Sequence, residues 1–296
     1  MAVTLDGLTI PLPVNWGATL LANAFENSVI APLTSSEPMP LGDTVIPTYD
    51  GGIEAGVVGE GAAKPVSTPT ASHTTISPIK LAAIVVVSKE MVRVNPARML
   101  DNVQADMQNA ITRAVDFGIL YGKSAKTGAA IPGATYVNQT TNRVELVAGD
   151  LVPQLLAGYD EAGVVADPTG FAFDSRFRTR VSLASQQQPG TPAPLPNLAV
   201  ASDTVAGLPA TYGRVVSGRV GANADTGVRG FVGDWSKVRW GFGENITMAR
   251  STDATIVDGA TTIHLFQQNM VALLVEAIVG WAVTDVDAFA AYEDQV

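Results

Sequence analysis

Hydrophobic positions are spaced most regularly between Asn95 and Gly122. Leu100, Val103, Met107, Ala110 or Ile111, Ala114 and Gly118 step by three or four residues, while Asp101, Gln104, Asp106, Gln108, Asn109, Thr112 and Arg113 occupy much of the remaining surface. Asn95 is placed to cap this helix and Pro96 to open it, the one helical position where proline's missing N–H costs nothing. The spacing predicts a helix over about 96–121. At 1.5 Å per residue its length is on the order of 35–40 Å, long for a globular core and suited to a structural spine.

A second kind of pattern runs from Asn269 to Val283, where Val271, Leu273, Val275, Ala277, Val279 and Trp281 alternate on one face. This predicts a long strand buried on both sides, with a buried helix as the competing reading of so apolar a run. KLAAIVVVSKEMV, residues 80–92, reads as another buried strand. Ahead of it, residues 51–79 are almost entirely Gly, Ala, Ser, Thr, Pro and small apolar residues. Two extended limbs joined by a polar tip predict a projecting hairpin, too poor in large side chains to fold alone; a long surface loop is the plainer alternative. The first fifty residues offer one helical candidate, Asn15 to Ile30 with Trp16, Leu20, Ala24 and Phe25, and otherwise read as an extended arm.

Residues 150–190 return to helical spacing in LVPQLLAGYDEAG and RFRTRVSLASQQQ, separated by a strand-like GFAFDS and followed by the Pro-rich loop PGTPAPLPN. Residues 205–249 alternate short apolar strands with glycine turns. There is no tandem repeat.

At 296 residues the chain can bury a large core, as one elaborate domain or two smaller ones. Only 16% of residues are charged, against roughly 25% in an average soluble domain. The longest apolar run, MVALLVEAIVGWAV, is broken by Glu276 and falls short of the roughly 18–20 residues a bilayer requires. Low charge without a membrane segment predicts that partners cover much of the surface. The formal net charge of −10 argues against broad nucleic-acid binding by phosphate neutralisation, though not against a wall around a nucleic-acid cargo. The start, MAVTLDGLTIPLP, has neither the basic end nor the long apolar stretch of a secretory signal, and the absence of cysteine excludes disulfides and thiolate chemistry.

GILYGKS, residues 118–124, imitates a phosphate-binding loop. That loop needs four residues between its first glycine and the Gly-Lys pair, whereas Gly118 and Gly122 enclose three. It must also follow a strand and open a helix, so that phosphate meets the positive helix end; here the helix comes first. Gly122 instead suits a C-terminal helix stop, with Lys123 and Lys126 complementing the dipole. Two histidines, His73 and His264, cannot build a histidine metal cluster, and neither a calcium loop nor a nucleophile elbow is present. Asp285 and Asp287 would share a face at a strand end, where solvated charges are ordinary. Gly233-Asp234-Trp235-Ser236 raises a sugar platform as an alternative to core packing of Trp235 and Trp240 around an Asp234 turn. No catalytic, cofactor or metal site is expected.

The order of these parts resembles the major capsid proteins of tailed phages, the Hong Kong 97 (HK-97) fold, over roughly residues 20–292. VVGEGAAKPVSTPTASHTTISPIKLAAIVVVSKEMV resembles that family's long hairpin, the E-loop. AVDFGILYGKS matches the end of its spine helix through Asp116, Leu120 and Gly122. GFAFDSRFRTRV resembles the start of the axial A-domain, and FVGDWSKVRWGFGENITMARS the Gly-Asp-aromatic-Ser turn before a strand. NMVALLVEAIVGWAVTDVDAFAAY is similar to the closing strand and terminal Asp-Ala-Phe. VAGLPATYGRVV departs from the family's Leu-x-Gly-x-Pro order.

The resemblance implies an α+β, HK-97-like capsid fold. Its expected parts are an arm (1–50), an E-loop with its return strand (51–88), a P-domain (89–148 and 250–296) and an A-domain (149–249). It implies a structural protein, not an enzyme, that forms pentamers and hexamers in an icosahedral head around double-stranded DNA. Separate scaffold, portal and decoration proteins are the implied partners; DNA is touched only non-specifically, and no membrane is involved. Assembly would take place in a bacterial cytoplasm. Glu54, Glu60, Lys64, Thr68, His73 and Thr75 are the implied intersubunit contacts, and Gly122, Gly233 and Asp234 the structural turns. An encapsulin-type compartment and a secreted β-rich carbohydrate-binding module are the alternatives.

Overall fold

A computed structural model of the chain describes residues 28–51, 53–60, 63–94, 99–147, 151–178, 180, 204–205, 207–221, 223–259 and 261–294. The helical candidate starting at Asn15, the capping pair Asn95–Pro96, most of the helix expected from Arg176 and the loop PGTPAPLPN lie largely outside these residues.

Strand β1 (Thr44–Gly51) pairs antiparallel with β2 (Thr70–Ile76). The hairpin therefore begins within the stretch read as an arm. TVIPTYDG carries the β-branched and aromatic residues that favour a strand, and its proline is tolerated because this two-stranded pair has only edges. Strand β3 (Ile79–Ser88) runs into helix α1 (Lys89–Val94), where Ser88 Oγ accepts from the Met91 N–H at 3.1 Å as an N-cap. The spine helix α2 follows (Met99–Tyr121), then β4 (Arg143–Leu146), α3 (Leu151–Gly163), β5 (Gly170–Phe173), β6 (Thr204–Val205) and β7 (Leu208–Tyr212). The chain closes with β8 (Val228–Gly233), β9 (Val238–Ser251), the small hairpin β10 (Thr255–Asp258) and β11 (Thr261–His264), β12 (Met270–Val283) and β13 (Phe289–Asp294).

Two sheets carry the body. The first has the order β3-β12-β9, antiparallel throughout; the second has the order β4-β13-β8-β5-β7-β6. In the first, Val275, Ala277, Val279 and Trp281 of β12 pack in one core with Met107, Ile111, Val115 and Ile119 of α2. The centre of the second sheet, β5, β8 and the start of β13, is buried on both faces, and period-2 alternation sorts its residues. Phe289 and Ala291 of β13 join the core shared with α2, whereas Ala290 and Tyr292 join a second core with Leu151 and Leu155 of α3.

β12 is a strand, which removes the helix reading, but burial on both sides needs correction. Leu274, Glu276 and Ile278 are only half-buried, and their cross-strand partners Ile84, Ala82 and Lys80 are exposed. The helix covers one face alone, and Glu276 keeps its charge near water, paired with Lys80 Nζ at 2.7 Å. β9 and β12 are 14 residues each and complete one long ladder, while β4 and β13 join the six-stranded sheet. Asp285 and Asp287 lie in the turn between β12 and β13 rather than on a strand face, with the Asp287 N–H donating to Asp285 Oδ1 at 3.0 Å. Among the described residues no helix is long and apolar enough to cross a membrane.

Gly122 ends the spine helix in the left-handed region at φ 64°. Its N–H donates to the Gly118 carbonyl at 2.8 Å, and its own carbonyl accepts from Ile131 N–H at 2.8 Å. A Cβ at this position would collide with the Tyr136 ring. Gly122→Ala is therefore expected to destabilise the subunit by about 1–3 kcal/mol, measured as a shift in the urea unfolding midpoint. An unchanged midpoint would contradict this account of the helix stop.

Candidate intersubunit surface

The hairpin extends beyond its own ladder. Past β1 and β2, the Glu54 N–H donates to Ser67 Oγ at 3.1 Å and Ser67 Oγ donates back to the Glu54 carbonyl at 3.0 Å. A Cβ on Gly56 would stand 3.2 Å from Pro65 Cγ, so the limbs remain in close contact there. Thr44, Ile46, Thr74 and Ile76 fall on the side with more burial, and Val45, Pro47, His73 and Thr75 on the exposed side. Glu54, Glu60, Lys64, Thr68, His73 and Thr75 are all exposed. They are strung along the hairpin instead of gathered into a cluster. Between them, Ile53, Val57 and Val66 expose 68%, 107% and 93% of their surface, an apolar display that water does not favour.

The base of this projection is firmly held. Ile76 is buried, and a Cβ on Gly280 of β12 would meet its side chain. The segment leading into the hairpin runs beside β9, where Glu37 N–H donates to the Trp240 carbonyl at 2.9 Å and Met39 N–H to the Phe242 carbonyl at 3.1 Å. Glu37 Oε2 also pairs with Arg239 at 2.6 Å.

Further back, the same segment is fixed to the end of the spine helix. Asp116 is buried; its Oδ1 accepts from the Ser28 hydroxyl at 2.7 Å and its Oδ2 from the Val29 N–H at 2.8 Å. Ser28 Oγ in turn accepts from the Ile30 and Ala31 N–H groups at 3.2 and 3.0 Å. Burial raises the Asp116 carboxyl from 3.8 to about 7, against the opposing pull of the hydrogen bonds from Val29, Ser28 and Ile30. The helix-end pattern singled out Asp116, but no local signal ties it to Ser28, 88 residues earlier.

The alternative chemistries meet the same cores. Asp234 accepts from the Ser236 N–H at 3.0 Å and caps a 3-10 turn at Trp235–Lys237, and Gly233 ends β8 where a Cβ would strike the Ala288 carbonyl. Trp235 and Trp240 are buried, their indole N–H groups donating to the Gly170 and Thr34 carbonyls at 3.0 and 3.2 Å. Neither ring can stack on a sugar. His264 sits exposed on β11, with Nδ1 3.1 Å from Thr255 Oγ1. Among the described residues no group of three or more His, Asp or Glu side chains could hold a metal ion.

A spine helix on a long-stranded sheet, a second buried sheet and a projecting hairpin together form an HK-97-like architecture. The profile of the phage capsid family matches residues 9–294. The chain belongs to the phage capsid family. It is 27% identical over 298 residues to the "Probable major capsid protein gp17" of Mycobacterium phage D29, covering 93% of this chain and 87% of that one. A solved chain from Gordonia phage Cozz is 29% identical with a TM-score of 0.76, over 91% of this chain and 87% of its own. One from Mycobacterium phage Ogopogo is 27% identical with a TM-score of 0.75, over 91% and 92%. This capsid protein is a structural component of a phage particle, and the carbohydrate-binding and encapsulin alternatives find no support.

The Asp116 anchor predicts a pH signature for the capsid subunit. Its carboxyl holds a proton more tightly folded than unfolded, so its contribution is fully present below about 4 and is lost as pH rises through about 7. Unfolding midpoints across this window should fall more steeply in the wild type than in Asp116→Asn, which cannot titrate. Parallel pH profiles would show that this carboxyl is not the titrating group.

Proposed function

We propose that this subunit assembles as pentamers and hexamers into an icosahedral head enclosing double-stranded DNA, with its hairpin lying over a neighbouring subunit. The carrying observation is the exposed hairpin itself. Its flanking segments are anchored to β9 and β12, yet Ile53, Val57 and Val66 lack cover from their own chain. Two strands alone are marginal in water, so a surface of this kind is completed by another chain. Glu54, Glu60, Lys64, Thr68, His73 and Thr75 are its proposed contact residues.

In this reading the six-stranded sheet forms the body of the A-domain near capsomer centres. The spine helix and three-stranded sheet form the P-domain at the periphery, and the N-terminal arm reaches across another neighbour. Each contact is weak, and closure into a shell multiplies them. The role is structural rather than catalytic. A net charge of −10 suits a wall that touches DNA only non-specifically. Separate scaffold, portal and decoration proteins complete the partners, without a membrane, and assembly takes place in the bacterial cytoplasm.

Electron microscopy of the purified protein, alone and with a co-expressed scaffold, should show uniform shells or capsomers; a monomer under every condition would overturn the proposal. Replacing residues 53–68 by a short Gly-Ser turn should leave the unfolding transition within about 1 kcal/mol of wild type while abolishing or weakening shells. Shells of undiminished stability would show that the hairpin is not an intersubunit clamp.

A further inference from the structure

Two depressions adjoin at Arg214 and Arg219. The larger, about 790 Å³, lies between α2, the start of β3, the loop at 123–131 and the segment around Arg214–Gly221. The smaller, about 570 Å³, is lined by Ser175, Arg176, Arg214, Ser217 and Arg219. Among the described residues, their walls carry seven of the chain's 18 Lys and Arg residues and none of its 28 Asp and Glu residues. Two of the seven are neutralised nearby, Lys80 by Glu276 and Arg176 by Asp174 and Asp225. Arg113, Lys123, Lys126, Arg214 and Arg219 are exposed and form no ion pair among the described residues. In a chain of net charge −10 this face is a strong local reversal of sign.

The backbone beneath these cations is bolted together. In the loop that leaves the spine helix, the Ser124 N–H donates to the Ala129 carbonyl and the Gly128 N–H to the Ser124 carbonyl, each at 2.8 Å. Asn223 Nδ2 ties that loop to the segment after Arg214, donating to the Ala125 carbonyl at 3.1 Å and the Val220 carbonyl at 2.8 Å. Gly221, at φ 58°, approaches so closely that a Cβ would strike the Ala125 carbonyl. From the helix end, the Tyr121 hydroxyl donates to the Val216 carbonyl at 2.5 Å. The stretches 121–130 and 214–223 therefore form one platform. Its base is fixed, while the long basic side chains stand free in water.

The five unpaired cations come from three stretches, α2, 123–126 and 214–219, and no partner fixes their head groups. Such a spread suits a ligand whose negative charge is repeated and closely spaced. Duplex DNA carries one charge per roughly 1.7 Å of its axis, so scattered cations meet phosphates whatever the sequence or register. An acidic polypeptide would need its carboxylates placed to match. Resting on the assembly reading above, we propose that this platform is where the wall touches its cargo. Arg113, Lys123, Lys126, Arg214 and Arg219 contact the phosphates of the packaged duplex, independently of base sequence. Thr127 on the rim assists: its Oγ accepts from the Ala129 N–H at 3.3 Å, which leaves the hydroxyl proton to donate to a phosphate. The chain's overall negative charge repels the duplex elsewhere and confines contact to this face.

Two measurements test this. Wild-type particles filled with DNA are treated with formaldehyde, digested with nuclease and protease, and mapped by mass spectrometry; nucleotide adducts should concentrate on Lys123 and Lys126. Separately, free subunits are titrated with a duplex of about 30 base pairs over a range of salt concentrations, where each phosphate contact contributes about 0.9 to the slope of log affinity against log salt. Arg214→Gln with Arg219→Gln, and Lys123→Gln with Lys126→Gln, should each reduce that slope by about 2 and weaken binding about tenfold at about 50 mM salt. Arg93→Gln with Arg250→Gln, exposed cations away from the platform, should leave it unchanged. Circular dichroism checks the fold of each variant, and the adduct map needs no variant. Filled wild-type particles without adducts at Lys123 or Lys126, together with unchanged slopes, would overturn the inference and leave the assembly reading intact. Unchanged slopes with lost shell yield in the arginine variant would assign the platform to an acidic assembly partner, which also overturns it. A wild type that forms no particles would bring down both.

Discussion

Strand β12 is the constraint on which the rest of the molecule depends. It holds β3 on one edge and β9 on the other, and its inward face packs Val275, Ala277, Val279 and Trp281 against the spine helix. Ladder bonds and apolar burial therefore coincide in one element, and the segments before and after the hairpin are both fixed to this sheet. Met39 docks on β9, and Ile76 meets Gly280 of β12 itself. Beyond Ile76 at its base the hairpin adds little to the closed body, and its outer part is free to contribute its surface elsewhere.

The Asp116 anchor applies the same logic to the arm. A buried carboxylate is costly unless its oxygens are met by donors, and here Ser28 and Val29 supply them from a segment distant in sequence. Tying the chain at Ser28 fixes the start of the described segment that leads to β9 and the hairpin. The spine helix thus organises two things, the sheet through its apolar stripe and the arm through one polar group near its end.

Much of this was legible in the sequence because it is periodic. Steps of three and four marked the spine helix, alternation marked β12, and the misfit of GILYGKS to a phosphate loop identified Gly122 as a stop. The unreadable parts depend on contacts between distant residues. Nothing local in TVIPTYDG says that it pairs with Thr70–Ile76, because the partner lies beyond a long tip. One-sided cover of β12 is set by which helix packs on it, not by its composition. The six expected contact residues all lie on the hairpin, and the structure gives each an exposed position without gathering them into a site.

The central claim is a division of labour: the body completes its own core, and the hairpin is completed by another copy. Amide hydrogen exchange, compared between free subunits and assembled shells, reads that division directly. β12 and the buried part of α2 should be protected in both states, whereas residues 53–68 should exchange rapidly in the free subunit and slow by at least about tenfold in shells. Equal exchange of the hairpin in the two states would contradict the account.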